Sequence, residues 1–106
     1  MEPEQLFERR QKVQIVDVRT PHEWRAGRIE QAHHIPMDEL PDRLVEIGRA
    51  STVVTVCRSG SRSGKMAHFL EERGYQVENL AGGLLAWQEA GLSLVSDQAA
   101  PQVVEE

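Results

Sequence analysis

The chain is predicted to fold as an α/β domain with a mostly parallel central sheet and helices on both faces. Two runs carry that prediction, Val13-Gln14-Ile15-Val16-Asp17-Val18 and Thr52-Val53-Val54-Thr55-Val56. Both are short, rich in β-branched residues and nearly continuous in apolar character, the pattern of strands buried on both faces. The third observation is that helical patterns fill the spaces around them, and strands alternating with helices imply parallel crossovers. With 106 residues, 40% of them hydrophobic and 27% charged, there is room for one core and no second domain.

The elements follow in chain order. Residues 3–12 form a short helix with Leu6 and Phe7 as apolar contacts. The first strand comes next, and residues 32–35 form a short further strand ended by Pro36. Leu40, Leu44 and Ile47 recur at helical spacing, with Pro41 tolerated in a first turn and Gly48 as a stop. After the second long strand, Ser63 caps a helix whose apolar face is Met66, Phe69 and Leu70, and Gly74 closes it. Residues 77–80 are a weaker strand. A last helix spans residues 84–90 and stops at Gly91. Residues 1–94 are thus read as the domain and 95–106, which lack periodicity, as a loose tail.

Composition excludes several classes of function. A formal net charge of -5 argues against nucleic acid as a partner, which would require a broad basic surface. The start, Met1-Glu2-Pro3-Glu4-Gln5, is acidic and lacks the apolar run of a secretory signal. No window approaches the length of a membrane span, so the expected location is the cytoplasm. One cysteine, Cys57, precludes an internal disulfide and leaves a thiol that is either packed and inert or reactive.

Its surroundings favour reactivity. Cys57-Arg58-Ser59-Gly60-Ser61-Arg62-Ser63-Gly64-Lys65 follows the strongest strand and precedes a helix, where ligands bind in open α/β sheets. A short loop with Gly60 and small serines can turn successive backbone N–H groups inward, and with the helix N-terminus it makes an anion-binding nest. Arg58, Arg62 and Lys65 place positive charge over nine residues that contain no acid, and such a setting favours the thiolate. An inert buried cysteine has no use for two arginines beside it, since burying them is costly. Two chemistries use a cysteine loop of this kind. Cysteine-dependent phosphatases space cysteine and arginine by five residues around a tetrahedral phosphate; here Arg62 falls one residue earlier. The tighter cradle suits a single sulfur carried on the cysteine, so loop length favours sulfur transfer. A dithiol mechanism is excluded by the absence of a second cysteine.

The segment Cys57-Arg58-Ser59-Gly60-Ser61-Arg62-Ser63 resembles the active-site loop of the rhodanese (thiosulfate sulfurtransferase) family. Residues 16–24 (Val-Asp-Val-Arg-Thr-Pro-His-Glu-Trp), with Gly27-Arg28-Ile29 and His34-Ile35-Pro36, are similar to that family's N-terminal signature. Leu80-Ala81-Gly82-Gly83-Leu84-Leu85-Ala86-Trp87, then Gly91, is similar to its C-terminal one. Together they span residues 4–94 in the family's order, as in single-domain members. Arg28 and Gln31 depart from the family's usual histidine and glycine and alter the loop between those signatures.

The resemblance implies a rhodanese-like fold and a ping-pong sulfurtransferase without metal or organic cofactor. Cys57 takes the outer sulfur of an anionic donor such as thiosulfate, and backbone N–H groups from Ser59 through Gly60, Ser61, Arg62 and Ser63 hold the resulting persulfide. A thiol, cyanide or protein acceptor then removes that sulfur. Arg58 and Arg62 are candidates for attracting the donor, with one of them an alternative brace for the loop. Asp17 either orients the loop from behind or caps nearby backbone at its strand end. The alternatives are a persulfide carrier or regulatory relay module serving a partner protein and, disfavoured by loop length, a phosphatase or arsenate reductase. A monomer is expected, with a homodimer as the alternative, and neither membrane nor nucleic acid as partner. His33 and His34 point to opposite faces of a strand and are poorly placed to chelate one ion. His22 and His68 are isolated, and Trp87 reads as a core anchor.

Overall fold

Alternation along the strands sorts the apolar side chains onto two faces, and helices then cover both. The computed structural model describes residues 1–105. The strands are β1 (Gln14–Asp17), β2 (His33–His34), β3 (Val53–Val56) and β4 (Val77–Asn79), and the α-helices are α1 (Pro3–Arg9), α2 (Pro21–Ala26), α3 (Ser61–Glu71) and α4 (Gly83–Glu89). Val16 and Val53 join Leu70 of α3 in one core, together with Cys57, Ile35, Leu40 and Tyr75. Ile15, Val54 and Val56 join Leu6 of α1 and Leu84 and Trp87 of α4 in the other. This is the α/β arrangement that the apolar runs predict.

The sheet has the order β2-β1-β3-β4 and every pairing is parallel. From β1 the chain moves outward to β2, then returns across β1 to lay down β3 on its other side. The direction of winding therefore reverses between β1 and β3, and the C-terminal ends of those strands diverge into a crevice. Cys57 is the first residue past β3, which puts it at that switch point.

Four local expectations are corrected. Residues 40–47 form two short 3₁₀ turns, Leu40–Asp42 and Leu44–Glu46, instead of one helix. Arg43, at φ -123° between them, interrupts any continuous helix, although Leu40 and Ile47 still bury their side chains. β2 is only two residues long. Ser63 does not cap α3: the helix starts at Ser61 behind Gly60, whose φ of 103° needs glycine. Finally, α2 is a helix the apolar spacing does not reveal. Thr20 and Glu23 form a reciprocal capping box there, with Pro21 in the first turn.

The segment expected as a tail runs along the end of α2. Val95 pairs antiparallel with Arg28, Asp97 N–H donates to Arg25 O at 3.0 Å, and Gln102 N–H donates to Ala26 O at 2.8 Å. Among the described residues, no helix is long and apolar enough to cross a membrane.

Candidate functional site

Cys57 leaves the fully buried strand β3 with its side chain on the α3 face, and it is itself only 1% exposed. Gly60 turns the chain sharply into α3, and that turn aims the Gly60 N–H at Cys57 Sγ, 3.0 Å away. The Ser63 hydroxyl reaches the same sulfur at 3.2 Å. The first N–H groups of α3 have no acceptor within the helix and open toward the loop. Two donors, the Gly60 N–H and the Ser63 hydroxyl, therefore converge on the sulfur, an arrangement that favours negative charge on it.

Beneath the sulfur lies a neutral hydrogen-bonded group. Thr55, two residues before Cys57 on the same face of β3, faces Asn79 of β4 in register. Asn79 Nδ2 donates to Gly60 O at 2.9 Å, which ties the loop to the strand. Asn79 Oδ1 lies 2.5 Å from Ser63 Oγ and 3.3 Å from Thr55 Oγ1. The Thr55 hydroxyl is also 2.9 Å from Ser63 O.

The loop is held from outside by the start of α4. Leu84 N–H donates to Cys57 O at 2.9 Å and Leu85 N–H to Arg58 O at 3.0 Å. Gly83 sits at φ 61°, and a Cβ added there would lie 2.5 Å from Arg58 O. Only glycine lets the helix end approach this closely, which is the physical sense of the Gly82-Gly83 pair.

Charges brace the α2 side. Arg62 makes a bidentate pair with Glu23, at 2.7 Å to Oε1 and 2.9 Å to Oε2. Glu23 is fully buried. Burial by itself pushes its carboxyl up, but the Arg62 hydrogen bonds, the Thr20 backbone N–H and the charges of Arg62 and Arg19 outweigh it and hold the group below its ordinary value. Asp17, at the end of β1, gives its carboxylate to Arg19: Nε lies 2.9 Å from Oδ1 and Nη2 2.8 Å from Oδ2. Arg19, also fully buried, continues to Glu23 O at 3.3 Å and Gly27 O at 2.6 Å. Asp17 thus reaches the loop through Arg19 and α2.

Two clefts open beside the loop. One, of about 410 Å³, is lined by Arg58, Ser59, Ser61, Arg62 and Glu105. The other, about 440 Å³, lies over the ends of β1 and β2 between Val18, Met37 and Asp38, and shares Arg62 as a wall. Arg58 Nε is buried without a hydrogen-bond partner among the described residues, whereas Arg62 is engaged with Glu23.

Of the loop residues singled out from the sequence, Gly60 and Ser63 donate to the Cys57 sulfur, whereas Arg58, Ser59, Ser61 and Arg62 line the adjoining cleft. Asn79, Thr55, Glu23 and Arg19 are additions that the sequence reading does not reach. Glu23 was findable, because a Thr-Pro-x-Glu run is a capping signature. Asn79 was not: its importance comes from a pairing between two parallel strands. His33 and His34 diverge, the first toward Glu46 at 3.0 Å, the second stacked on Trp24 with its Nε2 2.7 Å from Arg19 O.

Comparison with known proteins agrees with this architecture. The model of the rhodanese-like domain matches residues 2–90. A protein of Allochromatium vinosum named sulfurtransferase is 42% identical over 87 residues, covering 81% of each chain. Among solved structures, a rhodanese-related protein from Thermoplasma volcanium superimposes with a TM-score of 0.86 at 28% identity, covering 90% of this chain and 95% of that one. A rhodanese-like domain protein from Staphylococcus aureus does so at 0.80 with 37% identity, covering 91% and 97%. A buried cysteine accepting from two donors at the switch point of a parallel sheet, with a matching domain over nearly the whole chain, makes this protein a member of the rhodanese-like family.

Proposed function

We propose that the protein is a sulfurtransferase that carries sulfane sulfur on Cys57, with thiosulfate as donor. The observation that carries this reading is the pair of donors, Gly60 N–H and Ser63 Oγ, converging on a buried Cys57 Sγ. Sulfur is large and polarisable, and its anion needs several donors rather than one close base. In the first half-reaction the Cys57 thiolate attacks the outer sulfur of thiosulfate. A bond forms between the two sulfurs, the S–S bond of thiosulfate breaks, and sulfite leaves with the electron pair. The persulfide's terminal sulfur bears the negative charge and lies among the loop N–H groups. In the second, cyanide or a thiolate takes that sulfur and the Cys57 thiolate is restored. With no second cysteine in the chain, discharge goes to an external acceptor. The reaction calls for neither a metal nor an organic cofactor, and a lone reactive thiol suits the reducing cytoplasm.

The arginines divide the work. Arg62 braces α3 against Glu23, and Arg58, a wall of the loop cleft whose buried Nε has no hydrogen-bond partner among the described residues, receives the anionic donor. The test is mass spectrometry after thiosulfate treatment. Gain of one sulfur atom on Cys57, absent in Cys57→Ser, together with thiocyanate production from cyanide, is the expected result. An unmodified Cys57 would overturn the reading.

A further inference from the structure

Ser63 has one hydroxyl hydrogen and two neighbours that compete for it. Cys57 Sγ is 3.2 Å away and Asn79 Oδ1 is 2.5 Å away. The orientation of the Asn79 amide is set by its other end, since Nδ2 donates to Gly60 O at 2.9 Å. Oδ1 is therefore the acceptor presented to Ser63. When the hydrogen lies on Asn79, the oxygen lone pairs of Ser63 face the sulfur, and Cys57 is favoured as a thiol donating to them. When the hydrogen turns to the sulfur, the thiolate is stabilised and Asn79 Oδ1 loses its donor. Thr55 Oγ1 stands 3.3 Å from that oxygen, ready to replace it, and otherwise donates to Ser63 O at 2.9 Å.

We infer that Asn79 is a positioning residue, which governs Cys57 by holding or releasing the hydrogen of Ser63. The inference rests on the reading of Cys57 as a nucleophile. Each half-reaction turns the hydroxyl once: toward the sulfur while Cys57 is a thiolate, back to Asn79 once Sγ is bonded to a second sulfur and is a poor acceptor. The thiol proton of Cys57 leaves to solvent as the hydroxyl turns to the sulfur, while Ser63 and Asn79 keep their own hydrogens. Asn79 holds the resting state in check, and Ser63 delivers the nucleophile. The charged groups around the loop are Arg58 on the loop itself, Arg62 on α3 with Glu23 of α2, Asp17 with Arg19 after β1, and Glu105 across the cleft. None of them is changed in the variants below.

The experiment is the rate of Cys57 alkylation by iodoacetamide against pH, on the full chain and without any sulfur donor. Ser63→Ala removes a donor to the thiolate and should move the rise in rate to higher pH by about one unit, tenfold in reactivity at a fixed pH. Asn79→Ala frees the Ser63 hydrogen for the sulfur and should move it the opposite way. The double variant should behave as Ser63→Ala alone, because the effect of Asn79 passes through Ser63. If Asn79→Ala instead shifts the profile upward, or its downward shift survives in the double variant, the inference is overturned and Asn79 only supports the loop. Should the alanine variant unfold, Asn79→Leu, of similar size and without an acceptor, gives the same contrast. Failure of the sulfurtransferase reading would show separately, as absence of persulfide with thiosulfate while alkylation proceeds.

Discussion

The cysteine loop is gripped from its α2 side by full charges and from its β4 side by neutral hydrogen-bonding groups. On the first side, Asp17–Arg19 and Glu23–Arg62 form two ion pairs linked by Arg19 to the backbone oxygen of Glu23, with Asp17, Arg19 and Glu23 fully buried. On the second, Thr55, Ser63 and Asn79 share a few hydrogens beneath the sulfur. Paired ions in a low-dielectric interior are rigid, because separating them leaves an uncompensated charge. Neutral hydroxyls can exchange partners at small cost. The difference teaches that this site fixes its shape with ions and leaves the Cys57 sulfur to groups that can turn.

Breaking the ionic side should produce the largest effect. Asp17→Asn leaves Arg19, with no solvent exposure, short of its principal countercharge and should lower stability by about 3 kcal/mol. Urea unfolding reads this directly, and a loss near zero would mean that the Asp17–Arg19 pair is no anchor. Glu23→Gln comes next, at about 2 kcal/mol at neutral pH, the worth of hydrogen bonds to a charged partner. Its sign with pH is specific. The folded state holds Glu23 below its ordinary value of 4.5, so in acid the unfolded chain binds more protons. That part of the stability is present above the ordinary value and is lost as pH falls through the lowered folded one. The wild type should therefore converge on Glu23→Gln in thermal melts carried into acid, and a gap that stays constant would refute the assignment.

The two arginines give a sharper comparison within one loop. Arg58→Ala should raise the KM for thiosulfate about tenfold, equal to roughly 1.4 kcal/mol, with the melting temperature preserved. Arg62→Ala should lower the melting temperature, because its side chain, 18% exposed, holds the buried Glu23 carboxylate. The reverse pattern would exchange their roles. The smallest effect belongs to the neutral side. Thr55→Val keeps the shape of the strand and removes one hydroxyl, costing about 1 kcal/mol in urea unfolding.

Legibility in the sequence followed the range of each interaction. The buried strands were readable because β-branched runs report burial on both faces wherever they occur. The cysteine loop was readable because strand, cysteine, glycine and arginines are consecutive. The 3₁₀ turns over residues 40–46 were not, since the apolar spacing of Leu40, Leu44 and Ile47 satisfies either geometry and only the backbone at Arg43 decides between them. α2 escaped because its signal lies in capping rather than periodicity; its buried residues are Glu23 and Ala26, not an apolar stripe.

By itself, then, the sequence determined the fold class, the two central strands and the identity of the loop, all of which depend on neighbours along the chain. Tertiary structure paired Arg62 with Glu23 and left both Arg58 and Arg62 on the wall of the loop cleft. It also set Asn79 beneath the loop and let Gly83 bring α4 onto the carbonyls of Cys57 and Arg58. Those outcomes depend on parallel strands in register and on helices meeting at a strand end, distances that residue spacing in one dimension does not encode.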